Sequence, residues 1–149
     1  MANFINTIDL LGDTAAANAL VSRTLSEFND DTLTSIGSYA FYGCSALTSV
    51  NMPNLTSITG RVTFGFCKAL TNVDLPKVTN IVDSAFSYCS KLGSVRLPAT
   101  PPSLANVNAF QNVPTTCKFY IPTGSLAAYQ SATNWSSLTS TYSFVEEDR

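Results

Sequence analysis

Apolar and polar residues along this chain recur over a long step, not at the spacing of about 2.0 or 3.6 residues of a lone strand or helix. From Ile36 the chain reads Ile36-Gly-Ser-Tyr-Ala-Phe41-Tyr-Gly-Cys44-Ser-Ala-Leu47-Thr-Ser-Val50-Asn-Met52-Pro53. From Ile58 the same frame returns as Phe64, Cys67, Leu70, Val73, Leu75 and Pro76, and from Ile81 as Phe86, Cys89, Leu92, Val95, Leu97 and Pro98. All of these columns advance together, by a step of about 23 residues that suits a stacked repeat. A fourth, eroded copy holds Ala109-Phe110 and then Phe119-Tyr-Ile121-Pro122, with Phe119 and Ile121 one step beyond Val95 and Leu97. Self-similarity at a fixed period marks an array in which each unit buries its apolar face against the next.

Within every copy, Leu-x-x-Val-x-Leu/Met-Pro fits the leucine-rich-repeat core at a period inside its usual range. Val50 and Met52 are same-face residues of a short strand, and the proline that follows has no N–H to donate, so the strand ends there. Stacked copies then place these strands in parallel about 4.8 Å apart. Ile36, Ile58 and Ile81, each after Thr, Ser or Asn, predict a second short extended segment on the opposite wall, with the Phe and Cys columns filling the turn between. The predicted fold class is therefore α/β, a short leucine-rich-repeat solenoid dominated by a parallel ladder with helical caps. Residues 1–33 are assigned to an N-terminal cap, with a helix from Asp13 or Thr14 through Val21. Residues 34–122 form the repeats. Residues 123–149 form a C-terminal cap, with a helix capped by Thr123 or Ser125 and closed by Trp135 and Leu138, and a solvated tail from Val145. Pro101-Pro102 is a loop inside the fourth copy. One extra residue around Arg61-Val-Thr-Phe-Gly predicts a local bulge in the second.

At these residues the chain resembles the BspA-like leucine-rich-repeat family. That family's pattern of Ile-Gly-x-x-Ala-Phe-x-x-Cys-x-x-Leu-x-x-Val-x-Leu-Pro is matched most closely by Ile36 to Pro53, and the resemblance runs from about Thr34 to Leu138. The segment from Phe119 to Trp135 is similar to the family's terminal strand, helix and Trp. The resemblance implies a binding protein: such repeats occur in bacterial surface adhesins and in proteins of bacteriophages that infect gut bacteria.

Composition narrows the function classes. Hydrophobic residues make up 45% of the 149-residue chain and charged residues only 12%, with Ser and Thr at 18 each supplying most of the polarity. A formal charge of −2 and the lack of any basic run argue against nucleic acid as a partner. No apolar run approaches the roughly 20 residues of a membrane span, so no membrane insertion is expected. The first residues lack the charged and apolar regions of a secretion signal, which predicts a start at the natural Met in a cytoplasm. The sequons at Asn54 and Asn134 then carry little weight.

Candidate chemistry is sparse. His is absent, which removes the commonest general base and zinc ligand. Cys44, Cys67, Cys89 and Cys117 lie too far apart along the chain for zinc-ligand spacing, and parallel Cβ vectors disfavour disulfides between stacked copies. Free buried thiols are expected, with Cys117, outside the column, as the candidate for exposure. Asp30-Asp31 and Glu146-Glu147-Asp148 read as solvated carboxylates, and Asp74 with Arg96 as a charge pair across neighbouring strands. Without phosphate-binding glycine loops or a nucleophile elbow, no enzyme activity and no cofactor are expected.

What remains is the outward side of the ladder. Its residues form one column, Ser49, Asn72, Ser94 and Lys118, and a second, Asn51, Asp74, Arg96 and Tyr120, which vary while the framework recurs. The reading is a binding face for a protein or a surface glycan, against the alternative of ordinary solvent exposure. The expected role is a virion-associated decoration or tail protein of a phage, with a bacterial cell-surface adhesin module as the alternative. The oligomeric state is open between a monomer and a homo-oligomer.

Overall fold

A computed structural model describes residues 26–149. The N-terminal helix expected between Asp13 and Val21 lies outside the described residues. Each repeat contributes one strand to each of two parallel sheets. The larger sheet contains β1 (Glu27–Asn29), β3 (Ser49–Asn51), β5 (Asn72–Asp74), β7 (Ser94–Arg96), β9 (Lys118–Pro122) and β10 (Ser143–Glu147), hydrogen-bonded in that order. The smaller contains β2 (Ser35–Ile36), β4 (Ser57–Ile58), β6 (Asn80–Ile81) and β8 (Ser103–Leu104). Thus the short leucine-rich-repeat solenoid expected from the periodicity is the observed architecture. The ladder extends further at both ends than the repeat pattern predicts.

Register explains the columns. Phe28, Val50, Val73, Val95, Phe119 and Phe144 are successive partners across the large sheet, and Ile36, Ile58, Ile81 and Leu104 across the small one. Strands of two or three residues cannot hold a sheet by length, so stacking between repeats supplies the stability. Phe41, Phe64, Phe86 and Phe110 stack face to face between the sheets with centroids 5.1, 5.1 and 5.5 Å apart. Leu47, Leu70 and Leu92 are buried beside them, as is a column not anticipated from the sequence, Leu55 and Val78.

The turns are ladders too. Phe41, Phe64 and Phe86 donate their N–H to Thr63, Ala85 and Ala109 of the following copy at 2.7–2.8 Å. Two residues after each of these phenylalanines and Phe110, a left-handed position holds Gly43, Phe66, Tyr88 and Asn112, with φ between 60° and 68°. Gly and Asn adopt this conformation readily, whereas bulky aromatic residues do so at a cost. Phe66 and Tyr88 are held there by N–H bonds to Ser87 and Gln111 and by stacking on each other at 4.6 Å.

The extra residue of the second copy is taken up in the loop just after β4, leaving both sheet registers intact. Gly60 makes this fit, because a Cβ there would lie 1.7 Å from the backbone nitrogen of Ser38. Thr63, in the position of Ala85, is buried and donates to the carbonyl oxygens of Gly60 and Gly37 at 2.6 and 3.1 Å.

The four cysteines are free and buried. Cys67 and Cys89 donate to the carbonyl oxygens of Phe41 and Phe64 in the preceding copy, at 3.0 and 3.1 Å. These thiols therefore tie successive turns together besides filling space. Cys117, expected as the candidate for exposure, is fully buried, and burial pushes its thiol up to about 12.

At the C-terminus, α1 (Leu126–Ser131) and α2 (Trp135–Thr141) cover the last repeat. Buried Trp135 donates its indole N–H to Pro102 at 2.7 Å, and Tyr129 its hydroxyl to Pro98 at 2.6 Å. Ser125 sits at the α1 N-cap but makes no capping bond; its hydroxyl donates to Pro122 instead. The N–H of Leu126 goes to Glu146 Oε1 at 3.0 Å. Val145, Glu146 and Glu147 therefore do not form a solvated tail. They belong to a sixth strand, because Phe144 caps the end of the Phe119 column and stacks on it at 4.9 Å. Asp30 is likewise buried, its Oδ1 accepting from the N–H groups of Thr32 and Leu33 to turn the chain out of β1. No helix among the described residues is long and apolar enough to cross a membrane.

Phe64 packs between two parallel rings with no exposed surface. Phe64→Ala is expected to cost about 3–5 kcal/mol in urea unfolding, against under about 1 kcal/mol for Tyr39→Ala on the surface. Equal losses for the two variants would contradict a core organised by the phenylalanine stack.

Candidate functional site

The outward columns form as the alternation requires. Ser49, Asn72, Ser94 and Lys118 are register partners, as are Asn51, Asp74, Arg96 and Tyr120. With Val50, Val73 and Val95 pointing inward, their neighbours must face out, because successive side chains of a strand alternate. Across β3, β5, β7 and β9 these residues enclose a groove of about 360 Å³, lined by Ser49, Asn51, Asn72, Asp74, Ser94, Arg96 and Tyr120, with Val50 and Val73 at its base. Seven of the eight positions expected on this face line the groove. Lys118, although in register with Ser94, does not.

Charge in the groove is largely compensated. Arg96 lies 3.8 Å from Asp74, the pair expected across neighbouring strands. A stronger contact was not anticipated: the Arg96 guanidinium donates to both carboxylate oxygens of Glu147, at 2.7 and 3.3 Å. Glu147 is in turn 3.4 Å from Arg149, whose guanidinium donates to the carbonyl oxygens of Leu97 and Tyr120 at 2.7 and 3.0 Å. The C-terminal strand thus fixes the one arginine of the groove. Glu147 lies 51 residues from Arg96 and outside any repeated column, so periodicity carries no sign of it. The apolar residues Tyr142 and Phe144 on either side of Ser143, followed by β-branched Val145, were the available signal for a strand there.

Asp74 has one carboxylate oxygen facing Arg96, while its Oδ1 is shielded from solvent and has no hydrogen-bond donor among the described residues. Among the described residues, no cluster of three or more carboxylates and thiols is placed to hold a metal ion.

The family model of the BspA type leucine-rich-repeat region matches residues 17–140, in six copies. The chain belongs to that family. Six copies exceed the three clear and one eroded copy visible as columns, in keeping with a ladder that already includes Glu27–Asn29, inside the segment assigned to the N-terminal cap. BspA-type repeats generally serve as binding and scaffold modules and not as catalysts. The crystal structure of the pneumococcal vaccine antigen PcpA is similar with a TM-score of 0.37 at 12% identity, over 87% of this chain and 43% of that one. The chain thus spans less than half the length of that antigen. No curated protein matches it.

The Arg96 hydrogen bond, with the added attraction of Arg96 and Arg149, holds the Glu147 carboxyl below its usual value. A depressed carboxylate stabilises the fold above its unfolded pKa and loses that contribution as pH falls through the lowered folded value. Parent and Glu147→Gln are therefore expected to differ in melting temperature at about pH 7 and to converge on acidification below the ordinary carboxylate range. A gap that stays constant across that range would show that the Arg96–Glu147 contact does not stabilise the folded chain.

Proposed function

We propose that this protein is a non-catalytic recognition module that takes its partner in the groove across β3, β5, β7 and β9. One observation carries the reading: the inward columns repeat the same residues, whereas the register partners Asn51, Asp74, Arg96 and Tyr120 differ at every step and together enclose the groove. A rigid scaffold with a varied outer wall is how solenoids present an extended binding surface. The non-catalytic assignment is supported by the general character of the family and by a sequence without His. The partner class is a protein or a surface glycan.

The finer reading places the module on a phage virion, as a decoration or host-recognition component, and its support is the family resemblance. The alternative is an adhesin-type module on a bacterial surface. Mass spectrometry of purified virions and of cell envelopes, from the phage or host whose genome carries the gene, separates the two. Recovery with virions is the expected result, and recovery in envelopes alone would move the module to the cell surface.

The groove itself is tested by adsorption of labelled protein to bacterial cells. Asn72 is exposed at the middle of the groove, so Asn72→Trp fills it without touching the core. Adsorption is expected to fall at least about tenfold while the melting temperature stays within a few degrees of the parent. Unchanged adsorption by this variant would place binding elsewhere on the surface.

A further inference from the structure

We infer that a second copy of this chain pairs with the outer edge of β10, joining the two large sheets across a two-fold axis at Val145. The inference rests on the strand itself and not on the groove reading.

Among the described residues, the large sheet ends at β10 (Ser143–Glu147). The N–H of Thr123 bonds the carbonyl oxygen of Glu147, so Glu147 turns its backbone toward β9. Peptide groups alternate along a strand, so Ser143 and Val145 do the same. The N–H and C=O groups of Phe144 and Glu146 therefore point away from the sheet. These four groups have no hydrogen-bond partner among the described residues. The small sheet is finished differently. At β8, the side-chain amide of Asn134 donates to the carbonyl oxygens of Leu104 and Ala105 at 2.7 and 3.3 Å. The cap thus closes one sheet and leaves the other with a bare edge.

That edge lacks the usual protections. Proteins blunt an exposed edge by keeping its strand short, by a bulge or proline, or by free charges along it. β10 is five residues long, against two or three in each of β1 to β8. It runs in unbroken register with β9 and contains no proline. Its charged side chains turn back into their own copy, Glu147 onto Arg96 and Arg149, and Glu146 onto the N–H of Leu126. The inward column is buried from Phe28 to Phe119, whereas Phe144 at its end is half-exposed, as is Val145 on the opposite face. Apolar surface and unpaired backbone coincide at this edge.

One antiparallel register satisfies it completely. Phe144 set opposite the partner's Glu146 exchanges two hydrogen bonds with it, and Glu146 does so with the partner's Phe144, so every edge group is paired. Val145 then faces the partner's Val145 on the axis, and Glu147 faces the partner's Ser143, with no like charges directly opposed. A slip of two residues one way sets Glu146 against the partner's Glu146. A slip the other way calls on the N–H of Tyr142, which is already given to Leu138. The symmetric pair closes at two copies, whereas pairing between unlike strands would grow open-ended. Because the axis is perpendicular to the sheet, both grooves open on the same side. Their β9 strands stand three spacings apart, about 14 Å, an arrangement suited to a ligand repeated on a surface.

Sedimentation of the whole protein across micromolar concentrations is expected to show a monomer–dimer equilibrium with no larger species. On the axis, the Cα atoms of the non-hydrogen-bonded pair lie about 4.5 Å apart, within disulfide reach. Val145→Cys is therefore expected to give a linked dimer on mild oxidation, while Ser143→Cys, facing the partner's Glu147, should not. The native thiols are buried and do not compete. Val145→Lys opposes two ammonium groups and should weaken the dimer about fivefold or more. Thermal melts confirm that each variant folds, and if Val145→Lys does not, the cysteine pair decides alone. A monomer at every concentration overturns the inference, as does open-ended assembly. So does a dimer that a folded Val145→Lys leaves unchanged, or one linked through Ser143→Cys and not through Val145→Cys. The groove reading stands or falls separately, by the adsorption of Asn72→Trp.

Discussion

Everything in this protein depends on one constraint: each repeat must present to the next the same backbone shape that it receives from the one before. The strands are too short to pair independently, so their hydrogen bonds form only where the turns are also in register. Turn amides bond turn carbonyls from copy to copy, and thiols of one copy bond carbonyls of the one before. This explains why Phe66 and Tyr88 tolerate a left-handed backbone. The neighbours on either side fix that conformation, and the ring stack recovers part of its cost. It also explains Gly60, where the extra residue would otherwise push one copy off its neighbour.

A stack of identical units has two open ends, and covering them requires residues that break the pattern. At the C-terminal end, Trp135, Tyr129, Tyr142 and Phe144 gather around Phe119 and Phe110 in edge and stacked contacts. Their polar tips go to carbonyl oxygens of Pro102, Pro98 and Val113, which the ladder leaves without partners. Aromatic residues with a single polar handle suit this position, since one end must fill the core while the other bonds exposed backbone. The two short helices hold these rings in place, and the first amide of α1 is satisfied by the C-terminal strand.

The same constraint decides what the sequence makes legible. Residues under the repeat constraint recur at a period of about 23 residues, so the core columns, both sheets and the outward face can be read from spacing alone. Residues that act once leave no such trace. Glu147 reaches Arg96 across 51 residues, and Phe144 was hidden beside a charged run that resembles any solvated terminus. Phe28 and Leu25 stand one step before Val50 and Leu47, and Leu33 one step before Leu55, so the spacing for a further repeat was present there although Phe in place of Val and the missing Phe and Cys columns obscure it. Cys117 lies outside the thiol column, yet burial under the C-terminal cap gives it the same inaccessibility. The face of the candidate site was therefore readable, whereas its electrostatics were not, since these arise from a contact outside the repeats.

That division bears on how the groove works. Three of its four strands come from regular repeats, whose outward positions change without disturbing the stack. Arg96 is different, because its partner Glu147 belongs to the strand that closes the solenoid. Arg149 then binds the backbone of Leu97 and Tyr120, so the terminal residues brace the groove at its β9 end. An arginine free in solvent would sample many rotamers and draw anions; one held by two carboxylates is ordered and nearly neutral in its effect. The cap therefore does more than cover apolar surface. By taking up the charge of Arg96, it turns a basic position on the ladder into a fixed, charge-compensated one.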